Sequence, residues 1–313
     1  MNESICLLDI QRMSSEDGPG LRATAFLKGC PISCSWCHNP ESIRFEREVL
    51  WHQTRCMGCG DCARACGQNG IGIDKDGVFL DRARCVGCFA CADACPTGAL
   101  EGKGTMVSPA ELCRELLKDR AYFGEDGGVT LSGGEALAQP GTLELLRLLK
   151  EAGAGTAVDT CGMLPAGRLQ EALQFIDILL YDIKLADPGA HRRHTGADNA
   201  RILENLRVAG VWAEHGGRLW IRTPIIPGAT DSEHNIMDIG ALLSGIPNIE
   251  RWELCAFNNL CANKYESLNR TWTYDGVGLI EQGRMDLLLS AAIESGGCRD
   301  IRATGATKKE ERP

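Results

Sequence analysis

The sequence lacks long apolar stretches and an amino-terminal targeting signal. Nowhere in its 313 residues do about 18 apolar residues, the length that spans a bilayer, occur together. The first twenty residues, MNESICLLDIQRMSSEDGPG, have neither the basic start nor the apolar core of a secretory signal. These absences argue against a membrane or secreted protein, and we expect a cytoplasmic one.

The sequence also lacks a surplus of basic residues. It has 33 Lys and Arg against 42 Asp and Glu, which gives a formal net charge of -9 and a pI near 5.3. Nucleic-acid partners select a basic face, so we expect no nucleic-acid partner. A hydrophobic content of 44% is enough to bury a real core, in one large domain with an insertion or in two domains.

Cysteine, in contrast, is abundant, with 17 residues in the chain. Twelve of them fall before position 100, and most are two or three residues from the next. Because this spacing suits metal ligation in a reducing compartment better than disulfides, we interpret these cysteines as metal ligands. The remaining cysteines, such as Cys113 and Cys298, lack that spacing and are interpreted as ordinary residues.

A CxxCxxCxxxC run occurs twice, and the second run is followed by Pro96. This is the spacing of bacterial two-cluster ferredoxins, in which the fourth cysteine of each run ligates the other cluster. The two expected ligand sets are Cys56, Cys59, Cys62 with Cys95, and Cys85, Cys88, Cys91 with Cys66. The alternative is a pair of zinc sites. We predict an inserted ferredoxin-like domain with two 4Fe-4S clusters at 46–104, which leaves 1–45 and 105–313 to the main domain.

A separate CxxxCxxC loop contains only three cysteines, Cys30, Cys34 and Cys37. Three thiolates leave one iron of a 4Fe-4S cube open, and an open iron can bind and activate a ligand. We therefore place catalysis at this loop. The alternatives are an incomplete zinc site and buried structural cysteines.

Downstream, strand-like and helix-like stretches alternate. The strand-like stretches are 21–28, 128–132, 156–160, 176–184, 219–226 and 252–257. Helical patterns begin at Ser108, with Pro109 and Glu111 as capping signals, and continue near 143–153, 200–209, 232–243 and 281–295. Such alternation predicts an α/β fold, a partial (β/α)6 barrel, with its chemistry at the carboxyl ends of the strands.

The motifs resemble a known superfamily. CxxxCxxC with Trp36 before the third cysteine resembles radical S-adenosylmethionine enzymes, and the segments DGPGLR (17–22) and HNPE (38–41) resemble the larger glycyl-radical-enzyme activating enzymes. The resemblance implies three 4Fe-4S clusters, S-adenosylmethionine, and a flavodoxin or ferredoxin electron donor. It implies reductive cleavage of S-adenosylmethionine to a 5'-deoxyadenosyl radical that takes a hydrogen from a glycine of a partner glycyl radical enzyme.

Two other functions compete with this interpretation. One is a radical S-adenosylmethionine enzyme that modifies another protein or a small molecule. The other is a non-catalytic ferredoxin-like electron carrier, which the three-cysteine loop and a barrel of more than 200 residues disfavour.

The resemblance also implies roles for single residues. The S-adenosylmethionine contacts would be Trp36, His38, Gly133, Gly134, Glu135, Asp182, Ile183, Lys184 and Asn258, the last of which stands where the family usually has His. A monovalent cation would lie beside Asp159, Thr160 and Asp182. Asp17 and Arg22 would face the glycine loop of the partner. Without the resemblance, a glycine-rich turn with a solvated Glu is the simpler explanation for 133–135, and a salt-bridged strand end explains Asp182 and Lys184 equally well. A core Trp and a surface His stay alternatives for Trp36 and His38.

Overall fold

The chain is organised around one large β-sheet in which most strands are parallel. The computed structural model describes residues 4–75 and 77–309. Its strands are β1 (Ile5–Ser14), β2 (Arg22–Leu27), β3 (Glu48–Trp51), β4 (Ile71–Asp74), β5 (Gly77–Leu80), β6 (Leu100–Lys103), β7 (Thr105–Val107), β8 (Gly128–Gly133), β9 (Thr156–Thr160), β10 (Ile178–Asp182), β11 (Arg218–Ile225), β12 (Ile249–Ala256) and β13 (Ile301–Thr304).

The helices cover the strands and fill the connections between them. They are α1 (Asp61–Ala65), α2 (Ala90–Asp93), α3 (Pro109–Leu116), α4 (Thr142–Glu151), α5 (Ala166–Leu173), α6 (Pro188–Thr195), α7 (Ala200–Glu214), α8 (Glu233–Leu243), α9 (Ala262–Ser267) and α10 (Gln282–Glu294). The apolar faces of the longer helices pack on the sheet and form the main core with it.

The large sheet has the strand order β13-β12-β11-β10-β9-β8-β2-β1-β7. From β2 to β13 all neighbours are parallel, whereas β1 pairs antiparallel with both β2 and β7. All six strands predicted from the sequence are present, as β2 and β8 to β12, with small shifts at their ends. The sheet is larger than predicted, because β1, β7 and the parallel strand β13 were not recognised in the sequence.

The predicted start of α3 is confirmed in detail. The Ser108 side chain accepts a hydrogen bond from the Glu111 backbone N–H, and the Glu111 side chain accepts one from the Ser108 N–H. At the end of α4, Gly153 adopts the left-handed backbone conformation with φ of 71°, as expected for a residue just beyond a helix. Both ends therefore follow from local sequence signals.

Arg22, predicted to face the partner, lies instead inside the main domain. Its side chain is 1% exposed, and its guanidinium donates to the Thr130 hydroxyl (2.6 Å) and to the backbone oxygens of Val129 (2.9 Å), Pro19 and Asp126 (both 3.2 Å). Burial lowers the pKa of Arg22 to about 10. Arg22 therefore ties the DGPG loop to β8, and the sequence-based role as a partner contact is corrected to a structural one.

Residues 48–103 form a small unit beside the large sheet, and this unit has its own strands and helices. Strand β3 pairs antiparallel with β6 and closes the unit at its two ends, and β4 forms a hairpin with β5. The two short helices α1 and α2 each follow a residue in the left-handed conformation, Gly60 and Phe89. This internal similarity follows the repeat of the two cysteine runs.

A buried carboxylate, that of Glu48, joins this unit to the rest of the chain. Its side chain is 3% exposed and pairs with Lys28 (2.7 Å) at the end of β2 and with Arg82 (3.0 Å) from the inserted segment. Arg270 (3.5 Å) and Arg44 (4.0 Å) complete the group. Lys28 itself is fully buried and also donates to the backbone oxygen of Glu41 in the HNPE segment (2.5 Å). These five side chains are called the Glu48 clasp below.

The first testable prediction concerns the Glu48 clasp. Glu48→Gln leaves the buried Lys28 and the partly buried Arg82 without their shared counter-charge. Loss of one partner from a buried ion pair costs roughly 3–5 kcal/mol. We expect a clearly lower midpoint in thermal unfolding of the anaerobic protein, followed by circular dichroism.

The matched control for that variant is Glu46→Gln. The Glu46 side chain is 70% exposed and contacts Arg44 at 3.5 Å, so its loss should change the free energy of unfolding by no more than about 0.5 kcal/mol. Equal effects of the two substitutions would show that the Glu48 clasp does not hold the inserted segment.

Candidate functional site

The cysteine loop follows β2 and is fixed mainly through its backbone. The N–H of Gly29 donates to the Ser42 oxygen (2.6 Å) and that of Cys30 to the Ile43 oxygen (2.9 Å). Further along the loop, the N–H groups of residues 33 and 35 donate to carbonyl oxygens at the carboxyl end of α6, at 2.8 and 2.9 Å. The three cysteines are therefore held on a rigid loop at the carboxyl end of the first parallel strand.

The segment around α9 supports the same loop from the other side. The Tyr265 hydroxyl donates to the carbonyl of Cys37 (2.9 Å). Lys264 donates to the side chains of Asn39 and Glu41, both at 2.7 Å. The HNPE motif is thus anchored by residues more than 200 positions away in sequence, a contact that sequence reasoning missed.

A cavity of about 780 Å³ opens beside the cysteine loop. Its lining includes most of the residues that the sequence singled out: Asp17, Cys30, Cys34, Trp36, Cys37, His38, Gly133, Gly134, Asp159, Thr160, Asp182, Lys184 and Asn258. Asp17 lies in the loop between β1 and β2, and the others come from the carboxyl ends of β2, β8, β9, β10 and β12. The structure thus brings together residues that are spread over 240 positions of the chain.

Two predicted contacts do not line this cavity. Glu135 is fully buried, and its carboxylate accepts hydrogen bonds from the Thr160 hydroxyl (2.8 Å) and the Cys161 N–H (2.9 Å). Burial raises its pKa. Ile183 packs in the main core at 1% exposure. Glu135 thus holds the end of β9 in place. Ile183 supports the strand end through its backbone and through the packing of its side chain in the main core.

The two glycines after β8 are required by close approaches of the backbone. A Cβ at Gly133, whose φ is 113°, would lie 2.3 Å from the backbone of Leu27. A Cβ at Gly134 would lie 2.4 Å from the Gly29 oxygen. Since any side chain would collide with the strand and loop that hold the cysteines, only glycine allows these segments to touch.

Charged groups of both signs face each other in the cavity. Burial, together with the negative charge of Asp182, raises the pKa of Asp159 to about 6. The Asp159 carboxylate also accepts a hydrogen bond from Ser132 (2.8 Å). Burial opposes the charge on Lys184, but its ion pair with Asp182 outweighs this effect and raises its pKa. The arrangement offers carboxylate oxygens to a cation and an ammonium to an anionic group.

The cysteine thiols differ in their surroundings. Burial raises the pKa of Cys34 to about 12 and also raises that of Cys37. A hydrogen bond from the Cys161 thiol lowers the pKa of Cys30. Buried thiols such as those of Cys34 and Cys37 become thiolates when a metal balances their charge, which fits ligands better than free nucleophiles.

Several cavity residues were missed in the sequence analysis. These are Cys161, Trp220, Arg251, Glu253, Cys255 and Phe257. Cys161 had a usable signal, because it directly follows Asp159 and Thr160 at a strand end. Arg222 links two walls of the cavity: it pairs with Glu253 (3.2 Å) and donates to the backbone oxygen of Glu16 in the DGPG loop.

Two smaller cavities lie within the inserted segment. Cys56, Cys59, Cys62 and Cys95 line the first of them. Cys66, Cys85, Cys88 and Cys91 line the second. Each cavity thus takes three cysteines from one run and one from the other.

In the part of the chain that the structure describes, no helix has both the length and the apolar character needed to cross a membrane.

Family models match the chain in three regions. The model described as the radical SAM superfamily matches residues 82–239, just over half of the chain. A 4Fe-4S dicluster domain matches 55–99, and a 4Fe-4S single cluster domain matches 16–71. The last two matches include the two cysteine runs and the CxxxCxxC loop, respectively.

Characterised relatives cover nearly the whole chain. The (2S)-3-sulfopropanediol sulfolyase activating enzyme of Bilophila wadsworthia is 38% identical over 91% of this chain and 96% of its own length. The trans-4-hydroxy-L-proline dehydratase activating enzyme of Clostridioides difficile is 37% identical over 85% and 88%. Among solved structures, a radical SAM methyltransferase from Sphaerobacter thermophilus covers 92% of this chain and 66% of its own, with 13% identity and a TM-score of 0.53, which concerns the fold alone.

These matches agree with the cysteine-lined cavity at the strand ends. The chain belongs to the radical SAM superfamily and, within it, to the activating enzymes of glycyl radical enzymes; it is an iron-sulfur protein that uses S-adenosylmethionine and acts on a glycyl radical enzyme as its partner.

Proposed function

We propose that this activating enzyme carries three 4Fe-4S clusters, of which two lie in an inserted domain at residues 46–104. The observation that carries the proposal is the crosswise lining of the two small cavities, where each set of four cysteines has the composition expected of a two-cluster ferredoxin. A zinc ribbon would draw its ligands from CxxC pairs and would not need a fourth cysteine in each run.

The third cluster belongs to Cys30, Cys34 and Cys37. These cysteines lie on a backbone-fixed loop beside the large cavity, whose volume is typical of a small-molecule site. When bound there, the cluster and S-adenosylmethionine supply a one-electron reductive cleavage that permits hydrogen abstraction from a glycine. The protein's own part is to bind, to orient and to exclude water.

The charged residues of the cavity bind the amino-acid end of S-adenosylmethionine. Lys184, held by Asp182, presents an ammonium group to the methionine carboxylate. Asp159, Thr160 and Asp182 offer the oxygen ligands that a monovalent cation prefers, directly beside that carboxylate. Glu135 does not contact the cofactor directly. Its hydrogen bonds hold Thr160 and the following residue in place.

The remaining cavity residues bind the rest of the cofactor. Gly133 and Gly134 leave backbone groups open to the methionine ammonium, while Trp36 and His38 flank the third cysteine on the side of the nucleoside. His38 donates to the backbone oxygen of Asn258 (2.9 Å), and burial lowers its pKa, so it binds as a neutral ring. Asn258 offers an amide to the ribose.

The DGPG loop receives the partner. Asp17 lines the cavity, and its carboxylate is oriented by hydrogen bonds from Ser14 (2.6 Å) and Thr24 (2.8 Å). We assign it to the glycine loop of the glycyl radical enzyme. In this proposal electrons come from a flavodoxin or ferredoxin through the inserted clusters. The many cysteine ligands support a location in the reducing cytoplasm.

The second prediction concerns the number of clusters and their separate roles. Anaerobic reconstitution should give about 12 iron and 12 sulfide per chain. Cys34→Ala should abolish S-adenosylmethionine cleavage while the two inserted clusters, with about eight iron, remain. The measurements are iron and sulfide content and the formation of deoxyadenosine.

The matched variant in the inserted segment is Cys88→Ala. It should damage one inserted cluster and slow electron delivery, yet leave cleavage by a strong chemical reductant in a single turnover. Complete loss of cleavage in both variants, or an iron content near eight that Cys34→Ala does not change, would contradict the assignment of three sites.

The third prediction concerns the partner. Mixing the reduced enzyme, S-adenosylmethionine and its partner glycyl radical enzyme without oxygen should give a doublet electron paramagnetic resonance signal on the partner, with a comparable amount of deoxyadenosine. Asp17→Asn should lower the yield of this radical by roughly tenfold, the effect of one lost charged hydrogen bond, while cleavage without the partner changes little.

The control for that variant is Glu16→Gln. Glu16 is the exposed neighbour of Asp17, and Arg222 uses its backbone oxygen, which the substitution retains. If Glu16→Gln and Asp17→Asn reduce the partner radical equally, the carboxylate of Asp17 is not the recognition group. If deoxyadenosine forms but a small molecule is consumed in place of the partner, the activity itself is different.

A further inference from the structure

The tryptophan at the end of β3 has a buried donor without an acceptor. Trp51 is 8% exposed, and its indole N–H is sequestered from solvent with no hydrogen-bond partner among the described residues. The ring lines the small cavity formed by Cys56, Cys59, Cys62 and Cys95. Buried donors without a partner are rare in native proteins and call for a group that completes them.

The position of the ring is fixed by its neighbours. A Cβ at Gly77 would lie 2.4 Å from the outer edge of the Trp51 ring, so the absence of a side chain there gives the ring its place. The backbone of Trp51 pairs with Leu100 in the β3–β6 ladder, and Leu100 lines the same cavity. The indole is therefore a fixed part of the cavity wall, because both its backbone and its ring are held by neighbouring residues.

The second cavity of the inserted segment differs at the equivalent place. Strand β3 runs past both cavities and contributes Val49 to the second and Trp51 to the first, two residues that share one face of the strand. In the second cavity, Cys66 accepts a backbone N–H from Gly70 at 3.3 Å. Among its described lining residues, none has a buried side-chain donor without a partner.

We propose that the Trp51 indole N–H donates to a sulfur of the cluster held by Cys56, Cys59, Cys62 and Cys95. Hydrogen bonds to cluster sulfur stabilise the reduced, more negative form and so raise the reduction potential. Trp51 thereby gives the two inserted clusters different reduction potentials. Its role is to tune electron transfer through the cluster that it contacts. This inference rests on the proposed presence of the two inserted clusters.

The fourth prediction tests this role with Trp51→Phe, which keeps an aromatic ring and removes the N–H. In the reconstituted full-length protein, reduction is followed by electron paramagnetic resonance at set potentials, and the signal that responds to S-adenosylmethionine is assigned to the Cys30 loop. The two remaining reduction steps belong to the inserted clusters, and one of them should shift to a lower potential. The ratio of reduced to oxidised cluster at a given potential then falls about threefold to tenfold. A tenfold change corresponds to about 59 mV for one electron.

The matched control is Trp272→Phe. Trp272 also has a buried indole N–H without a described partner, but it packs against Phe257 and Tyr265, away from both small cavities. It should leave both inserted clusters at their original potentials. An unchanged potential in Trp51→Phe with full iron content, or an equal shift in both variants, would overturn the proposal.

A second measurement does not depend on the variant folding. Reduced protein labelled with indole-¹⁵N tryptophan should show a weak ¹⁵N coupling to one inserted cluster in pulsed electron paramagnetic resonance. Absence of this coupling would also overturn the assignment of Trp51. If the unmodified protein never exceeds about four iron per chain, the inserted clusters themselves are wrong, and that result is distinct from a failure of Trp51 alone.

Discussion

The arrangement of the inserted segment and the main domain depends on the ion pairs of the buried Glu48 carboxylate. It draws cations from the strand before the cysteine loop, from the inserted segment and from the stretch after α9. A charge this deeply buried is stable only when its partners stay close, so each of these segments holds the others in place. Lys28 is the important member, because it lies two residues before Cys30 and so links the inserted segment to the cysteine loop.

A second connection between the two parts runs through the stretch after β12. Arg82 donates to the Leu268 oxygen (2.8 Å), and Asn269 donates to the Val78 oxygen (3.2 Å), so this stretch contacts the inserted segment directly. A few residues earlier, Tyr265 holds the backbone of Cys37. The proposed electron transfer from the inserted segment needs fixed distances between donor and acceptor, and these polar contacts act together with the Glu48 clasp to restrain the two parts.

The sequence predicted the parts of the fold that obey local rules. The parallel strands are short apolar runs that end in polar motifs, and α3 begins with a capping box, so both were found. Strand β1 was not, because it alternates buried and exposed residues irregularly and pairs antiparallel at the margin of the sheet. Contacts such as that of Tyr265 with Cys37 join residues 228 positions apart, and no local pattern announces them.

Two charged candidate site residues, Arg22 and Glu135, lie elsewhere than expected for one shared reason. The charges of Arg22 and Glu135 were taken as signs of contact with a ligand or a partner, yet both side chains are buried and bond to the protein's own backbone. A charged residue beside a motif can stabilise the conformation of that motif through hydrogen bonds to its backbone. Only the three-dimensional arrangement separates that role from direct contact, since both give the same sequence pattern.

The departure at residue 258 can be judged from the same kind of contact. The family usually has His where this chain has Asn258, which raises the question whether the nucleoside side of the cavity is intact. His38 bonds to the backbone oxygen of residue 258, not to its side chain. Any residue supplies that oxygen, so the substitution leaves the position of His38 unchanged. What it alters is the ability of residue 258 to titrate near neutral pH, because an amide does not ionise, and burial also lowers the pKa of the neighbouring His38.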